Sequence, residues 1–143
     1  MSIATLLVHS RGDAQLPKSW SACTMSEPTL ATCRRSSGAP VVAWGTWRAG
    51  ALRWRLGAPR WFDSSARGRR GFCPDCGTQL AFVHADAAAL VDVTLASLDD
   101  PEAVRPEYHI WVASRLGWMT AADGLPAYPD GGPDSAQMRR TGG

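Results

Sequence analysis

"GFCPDCGTQL", residues 71–80, holds two of the chain's four cysteines, in the order Cys73-Pro74-Asp75-Cys76-Gly77. Two thiols three positions apart serve either as a redox pair or as half of a zinc site. A thioredoxin-like pair sits at the start of a helix, whose dipole lowers the pKa of the first thiol. Here Gly77 comes next, followed by "TQLAFVH", a strand pattern, so no helix receives the motif. The zinc reading suits the segment better. A Cys-x-x-Cys-Gly stretch makes a tight turn between two strands, and the glycine permits the positive φ that such a turn needs. Zinc prefers thiolates and takes four tetrahedral ligands. One Cys-x-x-Cys supplies two, and the chain has no second copy. The other potential ligands are Cys23, Cys33, His9, His84 and His109. A lone histidine is more often a surface or satisfied core residue, and Cys23 reads equally well as a small buried apolar side chain.

Outward from the thiols, the pattern is that of strands. "PVVAWGTW" (40–47) and "ALRWRL" (51–56) are short, β-branched and aromatic, and "RAG" separates them as a turn signal. Leu52, Trp54 and Leu56 alternate with Arg53 and Arg55, which is period two with one buried face. "GAPRWFDSSARGRRGF" reads as a turn, a short strand and a basic loop. "TQLAFVH" and "ALVDVTLASL" are further strands, "SLDDPEA" a turn with one helical turn, and "EYHIWVASRLGW" a strand running into a bend. "DGLPAYPDGGPDSAQMRRTGG", rich in Gly, Pro and Asp, reads as a loop fading into a loose tail. Residues 1–32 show no sustained period. There is no internal repeat and no long amphipathic helix. The expectation is one β-rich domain.

At 143 residues the chain is long enough for one sizeable core. No apolar run approaches the ~18–20 residues that span a bilayer. The start lacks the basic and long apolar regions of a secretory signal. A cytoplasmic location is therefore expected, where cysteines serve as ligands or free thiols more often than as disulfides. The net charge of +2 is unevenly spread: residues 48–70 hold seven arginines against Asp63, and residues 86–134 nine acids against Arg105 and Arg115. Two solvated surfaces are the preferred reading, and an anionic ligand near the arginines is the sharper one. The small net charge and acidic C-terminal half argue against nucleic acid, although Trp54 and Trp61 among arginines are the residue types that hold it.

"TCRRSSGAPVVAW", "RGFCPDCGTQLAF", "VDVTLASLDDPEA" and "HIWVASRLGWM…DGLPAYP" occur in this order. Together they resemble the glutathione-dependent formaldehyde-activating enzyme (GFA) family, which includes centromere protein V-like proteins. The resemblance covers residues 32–129, with 1–31 as a divergent segment and 130–143 as a flexible tail. It implies an all-β, Mss4-like fold, a zinc-knuckle-containing β-sheet domain. It also implies a carbon–sulfur lyase activity that joins glutathione to formaldehyde, so the partner is a small-molecule thiol or glutathione adduct. Nothing in it implies a membrane or a given oligomeric state.

The family's structural zinc site pairs an early Cys-x-Cys-Gly with a later Cys-x-x-Cys-Gly, and Cys73 and Cys76 match the later pair. Its second site takes three sulfurs from Cys-His-Cys-x-x-Cys-Arg-Arg and keeps an open position for substrate. Cys33 with Arg34 and Arg35 matches the end of that motif. The two preceding cysteines fall at Pro28 and Leu30, which cannot bind zinc. The early pair falls near "HSRG", where His9 is a possible ligand and Arg11, always protonated, is not. Either the N-terminal segment has diverged or an altered N-terminus is joined to a family-like body. The expected metal ligands are thus Cys73, Cys76 and Cys33, with Cys23 or His9 as possible additions, and zinc weakly held or substoichiometric. Arg34 and Arg35 are candidates for substrate carboxylates. His109, Trp111 and Trp118 are candidates to line a pocket, with core packing preferred for the tryptophans. No residue is assigned a catalytic role, and a non-catalytic family member stays open beside the enzyme.

Overall fold

A computed structural model of the chain describes residues 6–8, 15–21, 32–54 and 57–133. Among these, the strands are β1 (Leu6–Val8), β2 (Gln15–Ser21), β3 (Val42–Arg48), β4 (Leu52–Trp54), β5 (Arg60–Ser65), β6 (Gly68–Phe72), β7 (Gln79–His84), β8 (Leu90–Thr94) and β9 (Tyr108–Ile110). A short helix, α1, spans Thr32–Ser37. The fold is all-β, as expected. A seven-stranded sheet runs β5-β6-β7-β8-β3-β2-β9, and β1 pairs with β4 apart from it. Every pair in the large sheet is antiparallel except β2 with β9, which is parallel.

The core sits on β3, β7 and β8. Trp47, Leu80, Val93 and Cys73 are each at most 2% exposed and pack in one cluster with Leu52, Ala81, Val91 and Leu95. Strand β7 has only two half-exposed positions, Gln79 and Val83, as befits a strand covered on both faces. Strand β8 is buried except at Asp92, whose carboxylate accepts from the Thr46 hydroxyl at 2.6 Å directly across the ladder. That bond lets an acid sit in an otherwise apolar strand. Truncating the Trp47 ring to Ala would cost about 3–5 kcal/mol, the usual loss for a fully buried aromatic.

Two segments depart from the sequence reading. The "basic loop" is a hairpin: β5 and β6 pair across a turn at Ala66–Arg67. Alternation explains it. Arg69 points outward to Asp63 at 2.8 Å and lies over Trp61, while Arg70 turns inward over Phe82. The "RAG" turn separates β3 and β4, but these strands are not partners. They enter different sheets, β4 pairing with β1 at Val8↔Leu52 through Leu6↔Trp54. Leu52 is buried and Arg53 exposed, so the period-two reading holds there, while residues 55–56 lie outside the described residues.

The Gly- and Pro-rich stretch after residue 123 is pinned along β9 rather than loose up to residue 130. His109 N–H donates to Pro126 O at 2.7 Å, Tyr128 N–H to His109 O at 2.8 Å, and Trp111 N–H to Asp130 O at 2.7 Å. The rings of Tyr108 and Tyr128 meet edge to face at 5.9 Å. The bend after β9 turns on Trp111, at φ 58°, a left-handed conformation uncommon for a bulky residue. "PEA" forms the expected helical turn at Pro101–Ala103, started by Asp100, whose side chain accepts from Glu102 N–H at 3.1 Å. Residues 134–143 of the tail lie outside the described residues. No helix among the described residues is long and apolar enough to cross a membrane, a statement that leaves strands aside.

Candidate functional site

Between β6 and β7 the chain makes the turn that Cys-x-x-Cys-Gly requires. Cys73 N–H donates to Thr78 O at 2.9 Å, and Gly77 N–H donates back to Cys73 O at 2.8 Å. Gly77 sits at φ +75°, where a Cβ would be strained although no atom lies within 4 Å of it. Both thiols are free, Cys73 buried and Cys76 exposed. The Thr78 hydroxyl lies 3.1 Å from the Cys76 sulfur. That hydroxyl, then the Thr78 backbone and the neighbouring Cys73 thiol, hold the Cys76 thiol below its ordinary pKa; slight desolvation and the Asp75 charge oppose them weakly. The turn therefore brings two sulfurs together and favours a thiolate at the exposed one.

These features suit zinc in donor type and fall short in donor number. Among the described residues no group of three or more His, Cys, Asp or Glu could hold a metal ion. Cys73 and Cys76 thus offer two sulfur donors. Cys73 has a second role, because it is 2% exposed and belongs to the apolar core. The possible additional ligands Cys23 and His9 lie outside the described residues.

Cys33 begins α1 and is buried at 5% exposure. It is disulfide-bonded. A sulfur in a disulfide is not a thiolate, so Cys33 becomes a metal ligand only after reduction. Its carbonyl accepts from Ser36 Oγ at 3.0 Å and Ser37 Oγ at 2.7 Å, which close the short helix. Gly38, at φ +69°, ends it by donating to Arg34 O at 2.7 Å.

Sequence reasoning missed Arg70. It is 7% exposed, its Nη2 donates to Cys33 Sγ at 3.5 Å, and its Nη1 meets no partner among the described residues. Burial lowers its pKa, yet a guanidinium remains charged in proteins. The inward half of the Gly-Arg-Arg-Gly alternation was the available signal.

Arg34 and Arg35 face a hollow of about 280 Å³ whose wall includes Pro40, Leu116 and Trp118. Trp118 is 73% exposed, so core packing is not its role. A second cleft of about 690 Å³ is lined by Ser36, Ser37, Cys76, Thr78, Gln79 and Ser97 among others. His109 does not join either. It is buried on β9, and its Nε2 bonds the Asp123 carboxylate at 2.9 Å. Hydrogen bonding to His109 holds the Asp123 carboxyl below its ordinary pKa. Trp111 is half-buried on the same edge. The basic stretch is dispersed as well: Arg67 pairs with Asp86, Arg69 with Asp63, and Trp54 and Trp61 pack against the core.

Compared with known protein families, residues 22–114 match the one described as glutathione-dependent formaldehyde-activating enzyme. No curated protein matches the chain.

Proposed function

The chain belongs to the glutathione-dependent formaldehyde-activating enzyme family, and from that premise we propose that it makes or breaks a carbon–sulfur bond in a small thiol adduct of the glutathione–formaldehyde type. The observation behind this reading is the family match over residues 22–114 together with an intact Cys73–Gly77 knuckle. In the forward sense the thiol sulfur adds to the aldehyde carbon as the carbonyl π bond breaks, and the proton lost from the thiol ends on the carbonyl oxygen, giving an S-hydroxymethyl hemithioacetal. Zinc, when bound, would supply Lewis acidity and stabilise a thiolate. Cys73 and Cys76 would hold a structural ion, and Cys33, once reduced, would be a ligand of a separate one at the substrate site. Arg34 and Arg35 would bind and orient the substrate through its carboxylates.

A second reading is a family member with the fold and no turnover. It is favoured by Pro28 and Leu30 in place of ligands, and by the two-donor half-site among the described residues. A nucleic-acid module is less well supported, because of the basic stretch Arg67 and Arg69 are ion-paired and Arg70 is buried. Two measurements separate the first two readings. Zinc content of reduced protein, purified without chelator, is expected below one ion per chain. Exchange spectroscopy on formaldehyde and glutathione is expected to show faster adduct exchange with the reduced protein, lost in Cys33→Ser. Exchange equal to the protein-free rate would leave the non-catalytic reading.

A further inference from the structure

The two edges of the seven-stranded sheet end differently. At one, β9 is closed by the chain that follows it: His109 N–H donates to Pro126 O, Tyr128 N–H donates to His109 O, and Ala127 bridges His109 in parallel. At the other, β5 pairs with β6, and among the described residues no strand lies on its far side. Arg60, Phe62, Asp63 and Ser65 of β5 are exposed. A strand edge left in this way offers a row of backbone donors and acceptors to another strand. Charges usually blunt such edges. Here Asp63 is held by Arg69 at 2.8 Å, and Arg60 sits at the first position of the strand.

Phe62 is 61% exposed, one of two large apolar side chains that stand in water among the described residues. Its place in the sheet is specific. Phe62 opposes Arg70 on β6, and Arg70 opposes Phe82 on β7, so the three share one face in a row across three strands. Within the row, the Arg70 guanidinium lies 5.0 Å from the centre of the Phe82 ring. Phe82 and Arg70 are buried and Phe62 is not, so the row runs out into solvent at the sheet edge.

We propose that β5 is a self-association edge, on which β5 of a second copy of this chain adds antiparallel across a twofold axis centred on Phe62. A twofold pairing sets each residue opposite one from the same face of the strand. The part of β5 before the bulge between Asp63 and Ser65 offers Arg60, Trp61, Phe62 or Asp63 as the centre. Arg60 or Asp63 at the centre sets like charges opposite each other, which is destabilising. Trp61 at the centre sets each Phe62 opposite an arginine. Phe62 at the centre sets ring against ring, each Trp61 opposite Asp63 of the other copy, and each Arg60 opposite Ser64. Cross-strand aromatic pairs are stabilising. The row then continues from Phe82, Arg70 and Phe62 into the same residues of the second copy. A strand of six residues makes a small interface, so the dimer is weak and of micromolar order.

Sedimentation velocity of the full chain, run from low to high micromolar concentration, is expected to show a reversible monomer–dimer equilibrium. Phe62→Lys is expected to weaken it at least about tenfold, while Trp118→Lys, which changes the other exposed ring, leaves it as wild type. In Phe62→Cys, mild oxidation is expected to give a covalent dimer well above the wild-type level, because directly opposed residues lie about 5 Å apart at Cβ. Arg60→Cys is expected to stay at the wild-type level. Positions 60 and 62 are exposed, so unchanged circular dichroism should accompany these changes. A monomer at every concentration, a dimer indifferent to Phe62→Lys, or cross-linking at position 60 in preference to 62 would overturn the proposal. None of these outcomes depends on the thiol-adduct reading above.

Discussion

The guanidinium Nη2 of Arg70 lies 3.5 Å from the sulfur of Cys33, joining β6 to α1 across 37 residues of sequence. The cation is buried, stacked on Phe82 at 5.0 Å, and has no carboxylate partner among the described residues. A buried charge without a counter-ion is costly, and replacing it with an apolar side chain of similar length is often neutral or stabilising. With Cys33 in its disulfide, Arg70→Met is expected to keep or raise the urea midpoint. After reduction, a Cys33 thiolate would be the missing anion, and the same change should then cost about 3 kcal/mol, as breaking buried pairs does. Equal losses in both redox states would show that the sulfur is not the partner.

Two glycines are expected to fail for different reasons. Gly77→Ala meets no atom, so only its positive φ is penalised, at about 1–2 kcal/mol, and Gly77→Asn should cost less. Gly45→Ala meets the Trp47 ring at 2.3 Å, so that ring must leave its place in the core, an overpacking cost of about 1–3 kcal/mol or more. Urea denaturation of the three variants, with near-ultraviolet circular dichroism as a tryptophan probe, checks this. Only Gly45→Ala should alter the aromatic signal.

The two knuckle cysteines should separate likewise. Without metal, Cys73→Ser places a hydroxyl in the apolar core and is expected to cost about 1–3 kcal/mol. Cys76→Ser, on the exposed end, should stay within about 0.5 kcal/mol. Added zinc should raise the melting temperature of the wild-type protein and of neither variant. Equal zinc stabilisation of Cys76→Ser would show that Cys76 is not a ligand.

His84 gives the fold a weakness to mild acid. It is buried, and its Nδ1 accepts from Asp86 N–H at 3.1 Å, so the neutral ring carries its proton on Nε2. Burial first, and the nearby Arg67 charge second, lower its pKa from the ordinary 6.5. The Asp86 carboxylate, 3.7 Å from Nδ1, opposes this without reversing it. For a base lowered in the fold, the unfolded chain takes the proton first. Stability is therefore full above about pH 6.5 and falls as pH drops toward the lowered folded value. His84→Asn can still accept from Asp86 N–H and cannot titrate, so its urea midpoint is expected to be flatter between pH 7 and pH 5. An equally steep decline in the variant would place the acid sensitivity elsewhere.

Local patterns told the strands from the turns. The Cys-x-x-Cys-Gly knuckle, the alternation at Leu52–Trp54, the helical turn at Pro101–Ala103 and the bend after β9 were legible because each depends on neighbours in sequence: a glycine at positive φ, side chains on opposite faces, a carboxylate capping an N–H two residues on. The family resemblance drew on the same blocks, and the matched span includes most of them. Arg69 and Arg70 were misread as loop because charge masked their alternation, which only Asp63 outside and Phe82 inside make visible.

By itself, the sequence determined the all-β class and the Cys-x-x-Cys-Gly turn that brings two thiols together. Only the tertiary structure decided that β3 and β4 part into different sheets, that Arg70 lies against Cys33, that His109 is committed to Asp123, and that Trp118 faces water beside Arg34 and Arg35. The reason is physical. A period of two says which face a side chain takes, and cysteine spacing says which sulfurs share a turn. Neither says which distant strand or helix that face will meet, because such pairing is settled by the burial and hydrogen bonding of the whole sheet at once.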